Sequence, residues 1–190
     1  MISEMFRFSF YNLRQIPSPV FDMPRDILTP EVNFTRHFGV IRIDRTDWLD
    51  GWPSKLPVEG CIGFTDGSKT SEGTGTGVYI PILDTDDYYH LDSLNNIFQA
   101  EVYGILMGCI KLLPSGVSGK EIYICSDSES GINALMSPVV TSRLVKRCKE
   151  ALNRAGLVNR INLVWVPGHS GIDGNERADQ FPRLGSKPRD

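Results

Sequence analysis

No run of about 18 apolar residues occurs in the chain, which excludes a membrane-spanning helix. Histidine is scarce, at three in 190 residues, and cysteine numbers only four. Neither builds a metal site by spacing. Cys61, Cys109, Cys125 and Cys148 form no CxxC pair, and His37, His90 and His169 stand at no ligand spacing from them. Reduced, buried thiols in an intracellular protein of nucleus or cytoplasm are therefore expected, rather than zinc or disulfides. The N-terminal stretch MISEMFRFSFYNLRQIPSP lacks the apolar core and small-residue cleavage site of a signal peptide. An excess of positive charge is missing too. The formal net charge is −3, unlike the basic balance of a typical nucleic-acid binder.

The charge is unevenly placed. Between positions 141 and 160, Arg143, Lys146, Arg147, Lys149, Arg154 and Arg160 face Glu150 alone. Asp84, Asp86, Asp87 and Asp92 read as one acidic loop. Residues 1–59 carry Pro17, Pro19, Pro24, Pro30, Pro53 and Pro57, with aromatics scattered without period. They read as a linker or an extension packed on a neighbour, because an independent domain at this length has little core to bury. Residues 60–190 form the main domain.

From Cys61 the pattern sharpens. CIGFTD, GVYIPI and a weaker YYHLD read as strands, with the glycines of GTGTG in a hairpin rather than a phosphate loop, since no Lys-Ser/Thr follows them. QAEVYGILMGCIKLL is a helix, with Val102, Leu106, Cys109 and Leu113 recurring at helical spacing and Pro114 and Gly116 as stops. EIYICSD is a strand and SESGINALM a short helix. TSRLVKRCKEALNRAG is a helix with Thr141 as its expected N-cap and Gly156 as its stop. INLVWVPG is the last strand, and NERADQF a final helix expected to break at Pro182. The order predicts an α/β fold, a five-stranded mixed sheet flanked by helices.

Acidic side chains fall at the strand ends of this scheme. The first strand is expected to end at Asp66 and the fourth at Asp127. The fifth runs into Gly168 and His169, with Asp179 in the helix beyond, and Glu101 opens the long helix. Parallel neighbours present their strand ends together. Carboxylates converging there repel one another, and divalent cations are the usual relief.

FTDGSK, FQAEVYGI, ICSDSESGINAL and WVPGHSGIDGNERAD together resemble the four motifs of the ribonuclease H family, in family order and spacing, over residues 61–181. Their wording is most similar to the ribonuclease H domains of non-LTR retrotransposon polyproteins. The resemblance implies a ribonuclease H-like fold. It also implies an endonuclease that hydrolyses the RNA strand of RNA–DNA hybrids with two Mg²⁺ ions, Mn²⁺ being the alternative ion. By the same resemblance Asp66 bridges both metals, Asp179 completes the water-activating site, and Glu101 and Asp127 hold the other ion. His169 assists proton movement or product release. Gly67 and Ser68 let the backbone approach RNA, Ser128 and Asn175 contact nucleic acid, and Arg143, Lys146 and Arg147 meet phosphates. An adjacent reverse transcriptase is the implied partner, and no membrane is involved. The alternative is a catalytically weak hybrid-binding or connecting module of a retroelement polyprotein.

Three departures from the family pattern set further expectations. The loop after Leu113 is short, so the extra basic helix of the bacterial branch is absent. Glu129 stands where many relatives have Gln, and its charge is expected to weaken an RNA contact. Pro182 is expected to loosen Asp179.

Overall fold

The computed structural model describes residues 26–48, 52–56, 61–71, 73–91, 93–112 and 118–185. The expected stops at Pro114 and Gly116, the short loop after Leu113 as far as residue 117, Asp92, and the prolines at 17, 19, 24 and 57 lie outside these residues. Eight strands and four α-helices are described: β1 (Ile27–Val32), β2 (Phe38–Ile41), β3 (Cys61–Lys69), β4 (Thr74–Ile80), β5 (Thr85–Leu91), α1 (Ile97–Leu112), β6 (Glu121–Ser126), α2 (Glu129–Met136), β7 (Val139–Ser142), α3 (Arg143–Gly156), β8 (Arg160–Trp165) and α4 (Asp173–Gly185).

The main sheet is mixed, in the order β2-β8-β6-β3-β4-β5. β3, β4 and β5 form an antiparallel meander, while β3, β6, β8 and β2 run parallel. All five expected strands are present. The sixth, β2, comes from the N-terminal extension and pairs with β8 from Phe38↔Ile161 to Ile41↔Val164.

Alternation along the strands divides the core in two. Ile122 and Ile124 of β6 face one side with α1 and α3, whereas Tyr123 and Cys125 face the other. That second side is filled by Ile172 and Ala178 at α4, and by Ile43, Trp48 and Leu56 of the extension. The extension thus supplies both a strand and core side chains. Cys109, Cys125 and Cys148 are buried, and Cys61 is partly buried. Among the described residues no helix is long and apolar enough to cross a membrane.

Several local expectations are corrected. Ser142, not Thr141, caps α3: its Oγ accepts from the Val145 N–H at 3.0 Å. The helix begins at Arg143, so Ser142 is the residue immediately before it and Thr141 lies one position too early to cap. The expected acidic loop is mostly strand. Asp86 and Asp87 lie in β5, where Arg177 and Lys111 pair with them. α4 continues through Pro182 to Gly185. The expected break at Pro182 is therefore not seen, although an interior proline removes one N–H donor and crowds the carbonyl four residues before it.

Candidate active site

β3 does not stop at Asp66 as expected but runs on to Lys69. Its parallel pairing with β6 ends one residue before Asp66, at Thr65↔Ser126. Beyond that point β3 pairs only with β4, where Asp66 opposes Gly77 and its carbonyl accepts from the Thr76 hydroxyl at 2.7 Å. Asp66 and Asp127 therefore emerge side by side where two parallel strands part company.

Helix α1 brings the third carboxylate. It lies close on the sheet because Gly104 and Gly108 face it; a Cβ at Gly104 would meet the Thr76 Oγ at 2.5 Å. Gly67 extends the same contact. A Cβ there would lie 2.6 Å from the backbone nitrogen of Glu101 and 2.9 Å from the carbonyl carbon of Ala100. In this fold Gly67 is buried against the first turns of α1, and its N–H donates to the Glu101 carboxylate. One oxygen from each of Asp66, Glu101 and Asp127 lies within 4.8 Å of the others. Asp179, on α4, stands beside Asp66, close enough to share a hydrogen bond when one of the two is protonated.

The electrostatics of this cluster are unfavourable in the absence of a counter-charge. Burial, then the charges of Asp127 and Asp179, pushes the Asp66 carboxyl up to about 8. Burial foremost, with Asp66 and Asp127 beside it, holds Glu101 well above the usual carboxylate range. Burial raises Asp127 as well, against the lowering effect of a hydrogen bond from Asp66. Glu101 is 8 % exposed, and its Oε2 has no hydrogen-bond partner among the described residues. A buried, unpaired carboxylate oxygen is costly, and hard divalent cations take oxygen donors of this kind. The residues present fit such ions, and Asp66, Glu101, Asp127 and Asp179 would hold them.

His169 lies on an exposed loop with positive φ, and its Nδ1 is 3.8 Å from Asp179 Oδ2. The residues expected at a nucleic-acid surface are placed unequally. Ser68 is half-buried and follows Gly67 in β3. Ser128 is the N-cap of α2, its Oγ accepting from the Gly131 N–H at 3.2 Å. Asn175 is 2 % exposed, with its Oδ1 unpartnered among the described residues. Arg143 is exposed and Arg147 half-exposed on α3. Lys146 is already engaged: its Nζ donates to both carboxylate oxygens of Glu31 in β1, at 2.9 and 2.7 Å. Lys149 is buried and donates to the carbonyls of Asn33 and Ser137, so that burial, with Arg36 nearby, lowers its pKa.

Sequence reasoning missed Arg42. Its Nη1 lies 3.5 Å from Glu129 Oε1, and its Nη2 donates to Asn133 Oδ1 at 2.5 Å. Glu129, whose charge is expected to weaken an RNA contact, is therefore paired. No local signal announced this, because Arg42 is 87 positions away in an extension without periodicity. Arg177 was also passed over, though it ties α4 to β5 through Asp86.

Comparison with known proteins agrees with this site. The chain is 41% identical over 51 residues to a Ribonuclease H of Rhizobium etli, a match spanning 27% of this chain and 31% of that protein. A family model described as RNase H matches residues 59–187, about two-thirds of the chain, with all four acidic residues inside the match. Extent of match, sheet order and the acidic cluster agree, and the chain belongs to the RNase H family.

Proposed function

We propose that this chain hydrolyses the RNA strand of RNA–DNA hybrids at the Asp66–Glu101–Asp127–Asp179 cluster, with two divalent cations, Mg²⁺ or Mn²⁺, as cofactor. The observation that carries the reading is a trio of carboxylates within 4.8 Å, one oxygen of which is buried and unpaired, in a chain of this family. Bound ions would supply the charge that activates water and stabilises the phosphoryl group being transferred.

The protein's own part is positioning. Asp66 stands centrally, next to Asp127 and Asp179 and near Glu101, which makes it the residue fit to bridge two ions. Glu101 is held from behind by the Gly67 N–H, so its unpaired oxygen is fixed rather than free to rotate away. His169 is exposed beside Asp179 and can carry a proton between the cluster and bulk water. Ser68, Ser128, Arg143 and Arg147 are the proposed substrate-side residues; Gly67 and Asn175 are buried, Gly67 with its N–H already given to Glu101. Recognition would rest on the ribose 2′-hydroxyl, the group that separates RNA from DNA. The wording of FTDGSK and WVPGHSGIDGNERAD supports a retroelement source, with a reverse transcriptase as neighbour.

The test is cleavage of end-labelled hybrid with Mg²⁺, with Mn²⁺ and with EDTA, beside duplex DNA of the same sequence. The expected result is cutting of the RNA strand alone, abolished by EDTA. Equal cutting of duplex DNA would overturn the substrate, and cutting in EDTA would overturn the metal.

A further inference from the structure

The sheet edge that carries Asp66 and Asp127 does not end there. β6, β8 and β2 are parallel neighbours, so their C-terminal ends lie in a row. Trp165 is the register partner of Ser126, the residue before Asp127. Ile41 is the register partner of Val164, and Arg42 follows it. Asp127, Trp165 and Arg42 thus succeed one another along one edge, on the side of Asp127 away from Asp66. Between them, Arg42, Glu129, Ile132 and Trp165 line a pocket of about 110 Å³.

We propose that this pocket receives one ribose of the RNA strand, and that Arg42 of the extension is a specificity-determining residue there, acting with Glu129. The proposal rests on the reading that the chain cuts hybrids. Size limits the occupant: a cavity of roughly 150 Å³ accommodates benzene, so this smaller one excludes a base and admits only the 2′ edge of a sugar ring. Lining gives the chemistry. Ile132 and the Trp165 indole offer an apolar wall to the C–H face of a furanose. The rim offers a carboxylate and a guanidinium, one acceptor and one donor. A 2′-hydroxyl is both donor and acceptor, so it can donate to Glu129 and accept from Arg42, and a deoxyribose can do neither.

The geometry leaves both groups able to do so. Their separation of 3.5 Å is long for a charge-assisted hydrogen bond, which is typically about 2.7–2.9 Å. Neither side chain is buried, at 46 and 65 % exposure. The second nitrogen of Arg42 is meanwhile anchored to Asn133 and to the Met136 sulfur, which fixes the guanidinium along α2. The pairing also removes an obstacle. An unpaired Glu129 two residues from Asp127 would repel an incoming phosphate, and Arg42 cancels that charge in place.

The experiment is a scan of hybrids in which single RNA-strand nucleotides around the cut are 2′-deoxy, cut by the wild-type chain, by Glu129→Ala and by Arg42→Ala. Glu129 is exposed, so its truncation, which leaves no acceptor, tests the pocket even if Arg42→Ala loses stability with its α2 contacts. In wild type, one position other than that at the scissile bond should show KM raised about tenfold, the effect of losing a hydrogen bond to a charged group. That penalty should shrink to under twofold in both variants, each of which still cuts the all-ribose hybrid. A deoxy profile unchanged in Glu129→Ala overturns the subsite while leaving the cleavage reading standing. Failure of the wild type to cut any hybrid overturns the cleavage reading and the subsite with it.

Discussion

Arg177 forks onto Asp86, with Nε 3.0 Å from Oδ1 and Nη2 2.6 Å from Oδ2, while its guanidinium carbon lies 4.5 Å from the centre of the Tyr79 ring. This joins α4, which carries Asp179, to the β4–β5 hairpin. The pair is exposed, so its direct contribution to stability is small, under about 1 kcal/mol. Its effect is on placement. Arg177→Ala should leave the melting temperature within a few degrees of wild type yet lower kcat roughly tenfold, because small displacements of reacting groups are expensive. Arg177→Lys should not restore the rate, since an ammonium cannot make the planar fork. Single-turnover cleavage checks this. Wild-type kcat in Arg177→Ala would show that α4 is held by packing alone.

The pH dependence of the metal-free protein follows from the raised carboxyls. Asp66 is pushed up to about 8, from an ordinary value of 3.8. Its folded form binds a proton more tightly than the unfolded chain does. The stability so gained is complete below pH 3.8 and is lost as pH rises through about 8. Glu101 and Asp127 shift in the same direction. The metal-free melting temperature should therefore fall between pH 5 and pH 8.5. Saturating Mg²⁺ should restore it by linkage. Melting curves at both pH values, with Mg²⁺ and with EDTA, check this. A metal-free protein more stable at pH 8.5 contradicts it.

Asp66→Asn removes one charge from the same crowded site and keeps its shape. Without metal at pH 8 the variant should melt higher than wild type, because Asp127 and Asp179 lose a neighbour that repels them. It should also lose cleavage and most of the stabilisation by Mg²⁺. Calorimetry with and without Mg²⁺ reads both. An unchanged Mg²⁺ increment would remove Asp66 from the bridging position.

Gly67→Ala tests how α1 is held against β3. The added Cβ would press on the backbone of Ala100 and Glu101, which has no flexible end to move aside. Overpacking of this kind costs about 1–3 kcal/mol. The displaced helix should carry Glu101 with it, so Mg²⁺ affinity should fall along with stability. Denaturant unfolding and a Mg²⁺ titration of the melting temperature measure the two losses. Stability lost without any change in Mg²⁺ response would mean that Glu101 is not a ligand.

Much of this was legible in the sequence, for reasons that differ by element. β6 alternates isoleucine with tyrosine and cysteine, and α1 repeats its apolar residues at helical spacing, so both declared themselves. The acidic cluster could be located because strand ends in a parallel sheet converge. The extension could not be read in the same way. β2 is four residues long and β1 is mostly exposed, and neither shows a sustained period. Their places are fixed by partners more than 90 positions away: β8 for one, β7 and α3 for the other. Arg42, Trp48 and Glu31 acquire their roles only through those distant contacts. Thr141 and Ser142 are adjacent hydroxyls, and only the start of the helix at Arg143 tells which of them caps α3.

Lys146 is where the extension bears on substrate affinity. The basic run of α3 suggests a phosphate-binding face, but Glu31 already holds the Lys146 ammonium, and Asp26 accepts from the Leu144 N–H at 2.8 Å and from the Ser142 hydroxyl at 2.6 Å. Two carboxylates of the extension thus already engage donors of α3. Each phosphate neutralised by a lysine or arginine adds roughly 0.7–0.9 to the slope of log affinity against log salt. Lys146→Ala should therefore change the slope little, whereas Arg147→Ala, which removes a charge with no ion pair among the described residues, should flatten it by about that amount. Glu31→Gln should act in the opposite direction. It releases Lys146, tightens hybrid binding several-fold and steepens the slope by about the same increment. Asp44→Asn is the control, since it removes one exposed negative charge without releasing Lys146. Hybrid affinity measured across a salt titration, with EDTA present to prevent cutting, decides among these. If Glu31→Gln and Asp44→Asn behave alike, the effect is one of net charge and the hybrid lies away from α3. If only Glu31→Gln steepens the slope, the extension competes with the hybrid for the same lysine.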